Sequence, residues 1–127
     1  FLHQFGLYEH AYKQIKNYSG GMKRRANIIA SLLNQPELLI LDEPTAGVDV
    51  QSRIMILNFL KQYNSLGKSI IYTSHLLEEA ESLCDEILII DKGKKVIQGV
   101  PAQVIKEHQV DNLESLFLKL TGNKVRD

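Results

Sequence analysis

The stretch Leu38-Leu39-Ile40-Leu41-Asp42-Glu43-Pro44 places four consecutive apolar residues before two carboxylates and a proline. The apolar run is too short for a helix and is typical of a strand buried on both faces of a parallel sheet. Ligands of such sheets bind at the carboxyl ends of the strands, where Asp42 and Glu43 lie. The stretch therefore predicts a buried strand over residues 38–41 that carries two acids to a ligand-binding edge, the alternative being a solvated acidic turn.

Helices and strands alternate on both sides of this stretch. The spacing of apolar residues, with helix caps and breakers, predicts helix 20–34, strand 38–41, helix 50–64 between Asp49 and Gly67, and strand 69–73. A helix capped by Ser74, strand 86–90 and a hairpin through 95–98 follow, then a short helix opened by Pro101 and helix 113–120, which has a capping-box-like start at Asp111 and Glu114. The predicted inward faces are Met22, Ala26, Ile29 and Leu33, then Val50, Ile54, Leu57 and Leu60, then Leu76, Leu77, Ala80 and Leu83. The alternation predicts an α/β fold with a parallel sheet and flanking helices, ending in a β-hairpin and short helices.

Composition excludes several classes of protein. The 127 residues include 15 basic and 15 acidic side chains, a formal net charge of zero that argues against a globally basic nucleic-acid binder or an acidic tail but leaves local patches open. No apolar run approaches the roughly 20 residues that a membrane span needs. Cys84 is the only cysteine, which excludes an intrachain disulfide and favours a reducing, cytosolic setting.

Ser19-Gly20-Gly21-Met22 stands where the first long helix is predicted to begin. Two glycines leave backbone N–H groups uncovered, and the helix dipole adds about half a positive charge at this end. Such a start favours an anion such as phosphate, although an ordinary serine cap explains the same residues.

The acids at the end of the first strand can divide one reaction between them. One carboxylate can hold a hydrated magnesium ion, and the other can orient or deprotonate a water that attacks a phosphoryl group. His75 follows the second predicted strand, but a single histidine is more often structural than functional. Gly67-Lys68-Ser69 matches the end of a phosphate-binding loop, yet Gln62 occupies the position of its first glycine, so the sequence contains no Walker A motif.

Taken in order, these segments resemble the motifs of ABC transporter ATPases. The resemblance comprises a signature motif at Tyr18-Ser-Gly-Gly-Met22, a Walker B motif at Leu38–Glu43, a D-loop at Ala46-Gly-Val-Asp49 and a switch histidine at His75. Residues 20–25 and 113–122 are similar to the ATP-binding subunits of ABC-2 type exporters. Tyr18, Met22 and Val50 depart from the leucine, glutamine and proline usual in the wider family.

In that family the phosphate-binding loop, the adenine-stacking aromatic and the glutamine loop precede the signature motif. The resemblance therefore implies the C-terminal half of a nucleotide-binding domain with a P-loop NTPase-like sheet, incomplete because the half carrying Walker A is absent. Residues 1–34 would belong to the helical subdomain and residues 35–127 to the catalytic core subdomain. The family strand missing beside Ile70 and Ile71 would leave exposed backbone edges.

The resemblance also implies a role for each motif residue in a head-to-tail dimer that binds ATP and Mg²⁺. Ser19, Gly20, Gly21 and Met22 would face the γ-phosphate of ATP held by the partner. Asp42 would hold magnesium through water, and Glu43 would be the general base. His75 would contact the γ-phosphate, and Asp49 would link the two sites of the dimer.

The implied function is ATP hydrolysis that powers export through transmembrane permease subunits, with no nucleic acid bound. The protein would be cytoplasmic and peripheral on the inner face of the cell membrane. Residues 1–127 alone are expected to be inactive. The alternatives are an ABC ATPase of DNA repair or the ribosome that moves no solute, and a binding module that lost catalysis by truncation.

Overall fold

The computed structural model describes residues 1–122, which form two compact units, Phe1–Ser74 and a second that begins at His75. The end of the predicted core subdomain, residues 123–127, lies outside the described residues. The first unit contains 3-10 helices Tyr8–His10 and Ile15–Asn17, then α1 (Gly20–Leu32), β1 (Leu38–Asp42), α2 (Val50–Ser65) and β2 (Ser69–Thr73). The second contains α3 (Leu77–Leu83), β3 (Ile87–Asp91), β4 (Lys94–Gly99), α4 (Pro101–Glu107) and α5 (Leu113–Thr121). The predicted α/β class is confirmed.

β1 and β2 form a parallel pair whose register aligns their carboxyl ends. Leu38 lies opposite Ser69, and Asp42 lies opposite Thr73. The ladder continues past both ends, where Ser69 N donates to Glu37 O at 2.9 Å and Glu43 N donates to Thr73 O at 3.1 Å. This register brings the acidic end of β1 against the last residue of β2.

The prediction that β1 is buried on both faces is wrong. Leu39 and Leu41 are buried, whereas Leu38 is half-exposed and Ile40 is 65% exposed. β2, also predicted as a buried strand, has no fully buried residue, and Ile71 is half-exposed. Burial alternates along β1 because, among residues 1–122, apolar side chains cover only one face of this strand pair.

The helix faces also differ from the prediction. The residues buried in α1 are Gly21, Ile28, Ile29 and Leu32, and those buried in α2 are Ser52, Ile56, Phe59, Leu60 and Tyr63. Val50 is 72% exposed and Ile54 is 54% exposed. The buried face of α2 carries Phe59, whose ring centroid lies 4.6 Å from that of the buried Phe5.

In the second unit, β3 and β4 form an antiparallel hairpin. Lys92 and Gly93 form its turn with φ of +49° and +73°, the pair of left-handed residues that a two-residue type I′ turn requires. The predicted third strand therefore pairs with β4 in a separate sheet, and among residues 1–122 no strand joins it to β2. The strands of residues 1–122 thus form two sheets, one parallel and one antiparallel.

Two predicted caps are wrong. α3 is preceded by Leu76 as its capping residue and begins at Leu77, so Ser74 does not cap it. α5 is capped by Asn112, whose side-chain oxygen accepts from Ser115 N at 2.8 Å, in place of Asp111. The start of α5 is also tied to α3, since Glu81 Oε2 accepts from Leu113 N at 2.9 Å. Within the described part of the chain, no helix has the length and hydropathy of a membrane span.

Candidate functional site

The acidic end of β1 is organised by a threonine of the neighbouring strand. Thr73 Oγ1 donates a hydrogen bond to Asp42 Oδ1 and accepts one from Glu43 N at 3.2 Å. The Thr73 carbonyl accepts a second hydrogen bond from the same Glu43 N–H. Thr73 of β2 thus holds both the Asp42 carboxylate and the backbone of Glu43 in place.

Glu43 has an unusual backbone conformation for a residue with a side chain. Its φ of +48° is left-handed, and Ala46 N donates to Glu43 O at 3.1 Å to close a turn. The turn is anchored by Pro44 and Thr45, both buried, and Thr45 Oγ1 lies 3.2 Å from Tyr72 Oη. The surroundings therefore hold the half-buried Glu43 in a conformation that few residues adopt, a feature concentrated at functional sites.

The residues at this strand end fit a magnesium ion that keeps most of its water. Asp42 is exposed, and a single carboxylate there is the donor set that Mg²⁺ uses when waters and substrate phosphates supply its remaining ligands. Among residues 1–122, no cluster of three or more acidic, histidine or cysteine side chains suited to a metal is found. Asp42 thus suits Mg²⁺ that arrives with a phosphate better than an ion held by protein alone.

The start of α1 combines a serine cap with uncovered backbone donors. Ser19 Oγ accepts from Met22 N at 3.2 Å, so the ordinary capping role is present. The Gly20 and Gly21 N–H groups donate to no acceptor within residues 1–122. Gly20 faces open space, because a Cβ built there would meet no atom within 4 Å. The cap and the predicted anion site are therefore compatible, since Ser19 uses its oxygen as an acceptor and keeps its hydroxyl hydrogen as a donor.

The start of α2 has its own anion. Asp49 caps this helix by accepting from Ser52 N at 2.8 Å and from Ser52 Oγ at 2.7 Å. These two hydrogen bonds, with a further contribution from the positive charge of Arg25, hold the pKa of Asp49 below its ordinary value. A Cβ built on Gly21 would lie 3.2 Å from Asp49 Oδ2 and 3.4 Å from Ser52 Oγ. Because Gly21 has no side chain, the start of α1 at Ser19–Gly21 can lie close to the loop that ends at Asp49, here called the Asp49 loop.

The predicted site residues thus fall into groups. Asp42 and Glu43 both bond to Thr73, whereas Gly21, preceded by Ser19 and Gly20, lies close to Asp49. Met22 is half-buried in the first turn of α1. His75 is exposed and belongs to the second unit, so its role stays a prediction.

Three side chains of this region were not predicted from the sequence. Thr73 could have been found from the strand register, since it ends the strand predicted to run parallel to the one ending in Asp42. Ser52 stands three residues after the Asp49 cap, where a capping partner is expected. Arg25 follows Gly21 by one helical turn, and nothing in its spacing distinguishes it from Lys23 or Arg24.

A parallel strand pair that ends in two carboxylates, together with a glycine-rich helix start, is typical of α/β domains that bind phosphate-bearing ligands. Residues 1–46 match the sequence model of the ABC transporter family. The chain also resembles a solved structure, the ATP binding subunit of an ABC transporter, with a TM-score of 0.84 and 27% identity over 94% of this chain and 51% of that one. These matches confirm the resemblance to ABC transporter ATP-binding subunits: the chain corresponds to part of that ATP-binding domain.

Particular relatives are similar over most of this chain. The linearmycin resistance ATP-binding protein LnrL of Bacillus subtilis (strain 168) is 55% identical over 77% of this chain and 32% of its own length. The Nod factor export ATP-binding protein I of Cupriavidus metallidurans is 47% identical over 72% of this chain and 30% of its own length. The chain spans about a third of the length of these curated relatives.

Proposed function

We propose that this chain supplies the hydrolytic carboxylate and the cross-subunit phosphate clamp of an ATPase that drives export through partner permease subunits. The observation that carries the proposal is the joint anchoring of Asp42 and Glu43 by Thr73 at the carboxyl end of a parallel strand pair. Nucleotide ligands bind at such strand ends, and phosphoryl transfer depends mainly on positioning and charge stabilisation.

Glu43 is the proposed general base. A water oxygen forms a bond to the γ-phosphorus of ATP while the bond to the bridging oxygen of ADP breaks, and Glu43 orients this water and accepts its proton. The turn closed by Ala46 and the two bonds to Thr73 fix the Glu43 backbone, so the carboxylate starts from a defined position. Such a base contributes about 10² to 10⁴ in rate.

Asp42 is the proposed magnesium-binding residue, acting through water, and Mg²⁺ would neutralise charge on the phosphates. Thr73 supports this role because it donates to one carboxylate oxygen and thereby orients the other. His75 is proposed to contact the γ-phosphate.

The start of α1 is the proposed clamp for the γ-phosphate of ATP held by a second ATPase subunit in a head-to-tail dimer. Ser19 offers a hydroxyl and the exposed Gly20 offers an N–H group, while the buried Gly21 and the half-buried Met22 lie in the same turn. Asp49, which contacts the Gly21 backbone region, is proposed to link the two ATP sites.

The names of the relatives support a transport role. One is named for Nod factor export and another for linearmycin resistance, and both are ATP-binding proteins. We propose that this protein likewise works on the cytoplasmic side of the membrane, peripheral to permease subunits, without binding nucleic acid.

The proposal is tested by Glu43→Gln in the complete gene product that contains this sequence. The variant keeps the size and loses the base, so ATP turnover should fall at least about 100-fold while ATP-bound dimers accumulate. Both are measured, by phosphate release and by size-exclusion chromatography with ATP. The matched control is Glu37→Gln, an exposed glutamate just before the opposite end of β1, which should leave turnover unchanged. Turnover of Glu43→Gln within twofold of this control would refute the role of Glu43.

A further inference from the structure

Arg25 connects three parts of the first unit through one guanidinium group. Its Nε donates to Gly21 O at 3.3 Å, one turn earlier in α1. Its Nη1 donates to Phe5 O at 2.8 Å and lies 3.7 Å from the sulfur of Met55 in α2. Because the guanidinium is planar with donors in fixed directions, these contacts set where the first turn of α1 lies relative to the other two segments.

The segment before α1 is built around this contact. Phe5 is fully buried and packs on Phe59 of α2, so its carbonyl is a fixed acceptor. Gly6 follows with φ of +62°, and a Cβ there would come within 3.3 Å of both Arg25 Nη1 and Met55 Cε. The backbone at Gly6 therefore leaves the space that the guanidinium occupies.

The neighbouring cations make no comparable contacts. Lys23 and Arg24 have no side-chain hydrogen bond or ion pair with residues 1–122. The charge of Arg25, in contrast, acts on Asp49 as well, since it adds to the hydrogen bonds from Ser52 that lower the pKa of that carboxyl. Gly21 lies between the two, bonded to Arg25 through its carbonyl and close to Asp49 on its α-carbon side.

We infer that Arg25 is a positioning residue that holds the Ser19–Gly21 helix start and the Asp49 loop in the arrangement that a partner-bound γ-phosphate requires. This inference rests on the proposed function of the α1 start as a clamp. It assigns Arg25 no contact with ATP. Arg25 acts through its hydrogen bond to the Gly21 carbonyl, and Gly21 in turn lies close to Asp49.

The test compares Arg25→Met, Arg25→Lys and the control Arg24→Met in the complete gene product. Arg25→Met removes the guanidinium and its two hydrogen bonds, to Gly21 O and Phe5 O. We expect kcat to fall at least about tenfold, while KM for ATP changes less than about threefold. Arg25→Lys keeps the positive charge but not the planar set of donors, so it should recover part of the lost kcat. Arg24→Met removes a guanidinium that makes no hydrogen bond or ion pair among residues 1–122 and should stay within twofold of the wild type. In a Glu43→Gln background, Arg25→Met should also weaken ATP-dependent dimer formation.

A second pair of variants tests the position of the Arg25 guanidinium without changing Arg25 itself. Gly6→Ala and Gly67→Ala both place a Cβ on a left-handed residue, but only the first meets Arg25, since Gly67 faces open space. Both should lower the thermal midpoint, whereas only Gly6→Ala should lower kcat after correction for the folded fraction.

Two results would overturn the inference. The first is a kcat of Arg25→Met equal to that of Arg24→Met. The second is a fall in kcat that disappears after correction for the folded fraction, which would make Arg25 a general stabiliser. Failure of the proposed function is separately visible, because Glu43→Gln would then form no ATP-dependent dimer even with Arg25 intact, and the inference would fall with it.

Discussion

The first turns of α1 and α2 are two solutions to the same problem. Each leaves backbone N–H groups without intrahelical acceptors and each has a positive dipole end. α2 uses Asp49, a carboxylate that accepts two hydrogen bonds from Ser52. α1 uses Ser19, a neutral cap that satisfies Met22 N and is followed by two glycines.

The difference concerns what each helix start can still bind. At α2 the protein supplies its own anion, so an external phosphate would meet a negative charge. At α1 the cap is neutral, and the space next to Gly20 is open. Under the proposed function, the start of α1 can bind an external anion because its serine cap is neutral, whereas the start of α2 already holds the carboxylate of Asp49.

The largest expected effect comes from giving α1 the carboxylate it lacks. Gly20→Asp places a negative charge at the first position of α1, which is favourable for the helix dipole but competes with phosphate. In the complete gene product, ATP turnover should fall about 100-fold, since the clamp is blocked, while the thermal midpoint stays within a few degrees of the wild type. Phosphate release and thermal unfolding measure the two effects.

Gln51→Asp is the matched control for this variant. Gln51 is exposed in the first turn of α2, where the protein already has Asp49. Turnover should stay within a few-fold of the wild type. Equal loss of turnover in the two variants would show that charge at either helix start disturbs the protein, and the contrast between them would fail.

The sequence predicts where the helices and strands lie better than it predicts which side chains they bury. α1, α2 and β2 begin where predicted because Ser19, Asp49 and Gly67 are local signals that act through the backbone. Burial depends on what packs against an element. The apolar run of β1 fits two covered faces, yet the described residues cover only the face of Leu39 and Leu41.

The same reasoning separates the predicted from the missed parts of the site. Asp42, Glu43 and the Ser19–Met22 turn are recognisable because they are adjacent in sequence and end or begin an element. Thr73 reaches Asp42 through the register of two strands, which is known only once the strands are paired. Ser52 acts as the local partner of the Asp49 cap, three residues after it. Arg25 acts through the Phe5 carbonyl, and backbone acceptors brought close by folding leave no signal in residue types.

A smaller effect is expected from alanine at the two glycines of α1. At Gly20 a Cβ meets nothing, so Gly20→Ala should raise the thermal midpoint slightly through helix propensity. At Gly21 the Cβ would press on Asp49 and Ser52, so Gly21→Ala should lose that gain or lower the midpoint. Circular dichroism melting of both variants measures the difference. A higher midpoint for Gly21→Ala than for Gly20→Ala would mean that Asp49 and Ser52 shift to accept the Cβ without loss of stability.

The smallest expected effect is a difference in pH dependence between the two caps. The pKa of Asp49 in the folded protein lies below its ordinary value of 3.8, so this cap stabilises fully above that value and loses its contribution as the pH falls through the lowered pKa. Asp49→Asn should therefore have a lower thermal midpoint than the wild type at pH 7, and the gap should begin to narrow below about pH 4 and close once the pH has fallen through the lowered pKa. Ser19→Ala removes a cap that does not titrate, worth about 1 kcal/mol, so its gap should be the same at both pH values. Measuring each variant against the wild type cancels the other carboxylates, and a constant gap for Asp49→Asn would show that the cap does not depend on the charge of Asp49.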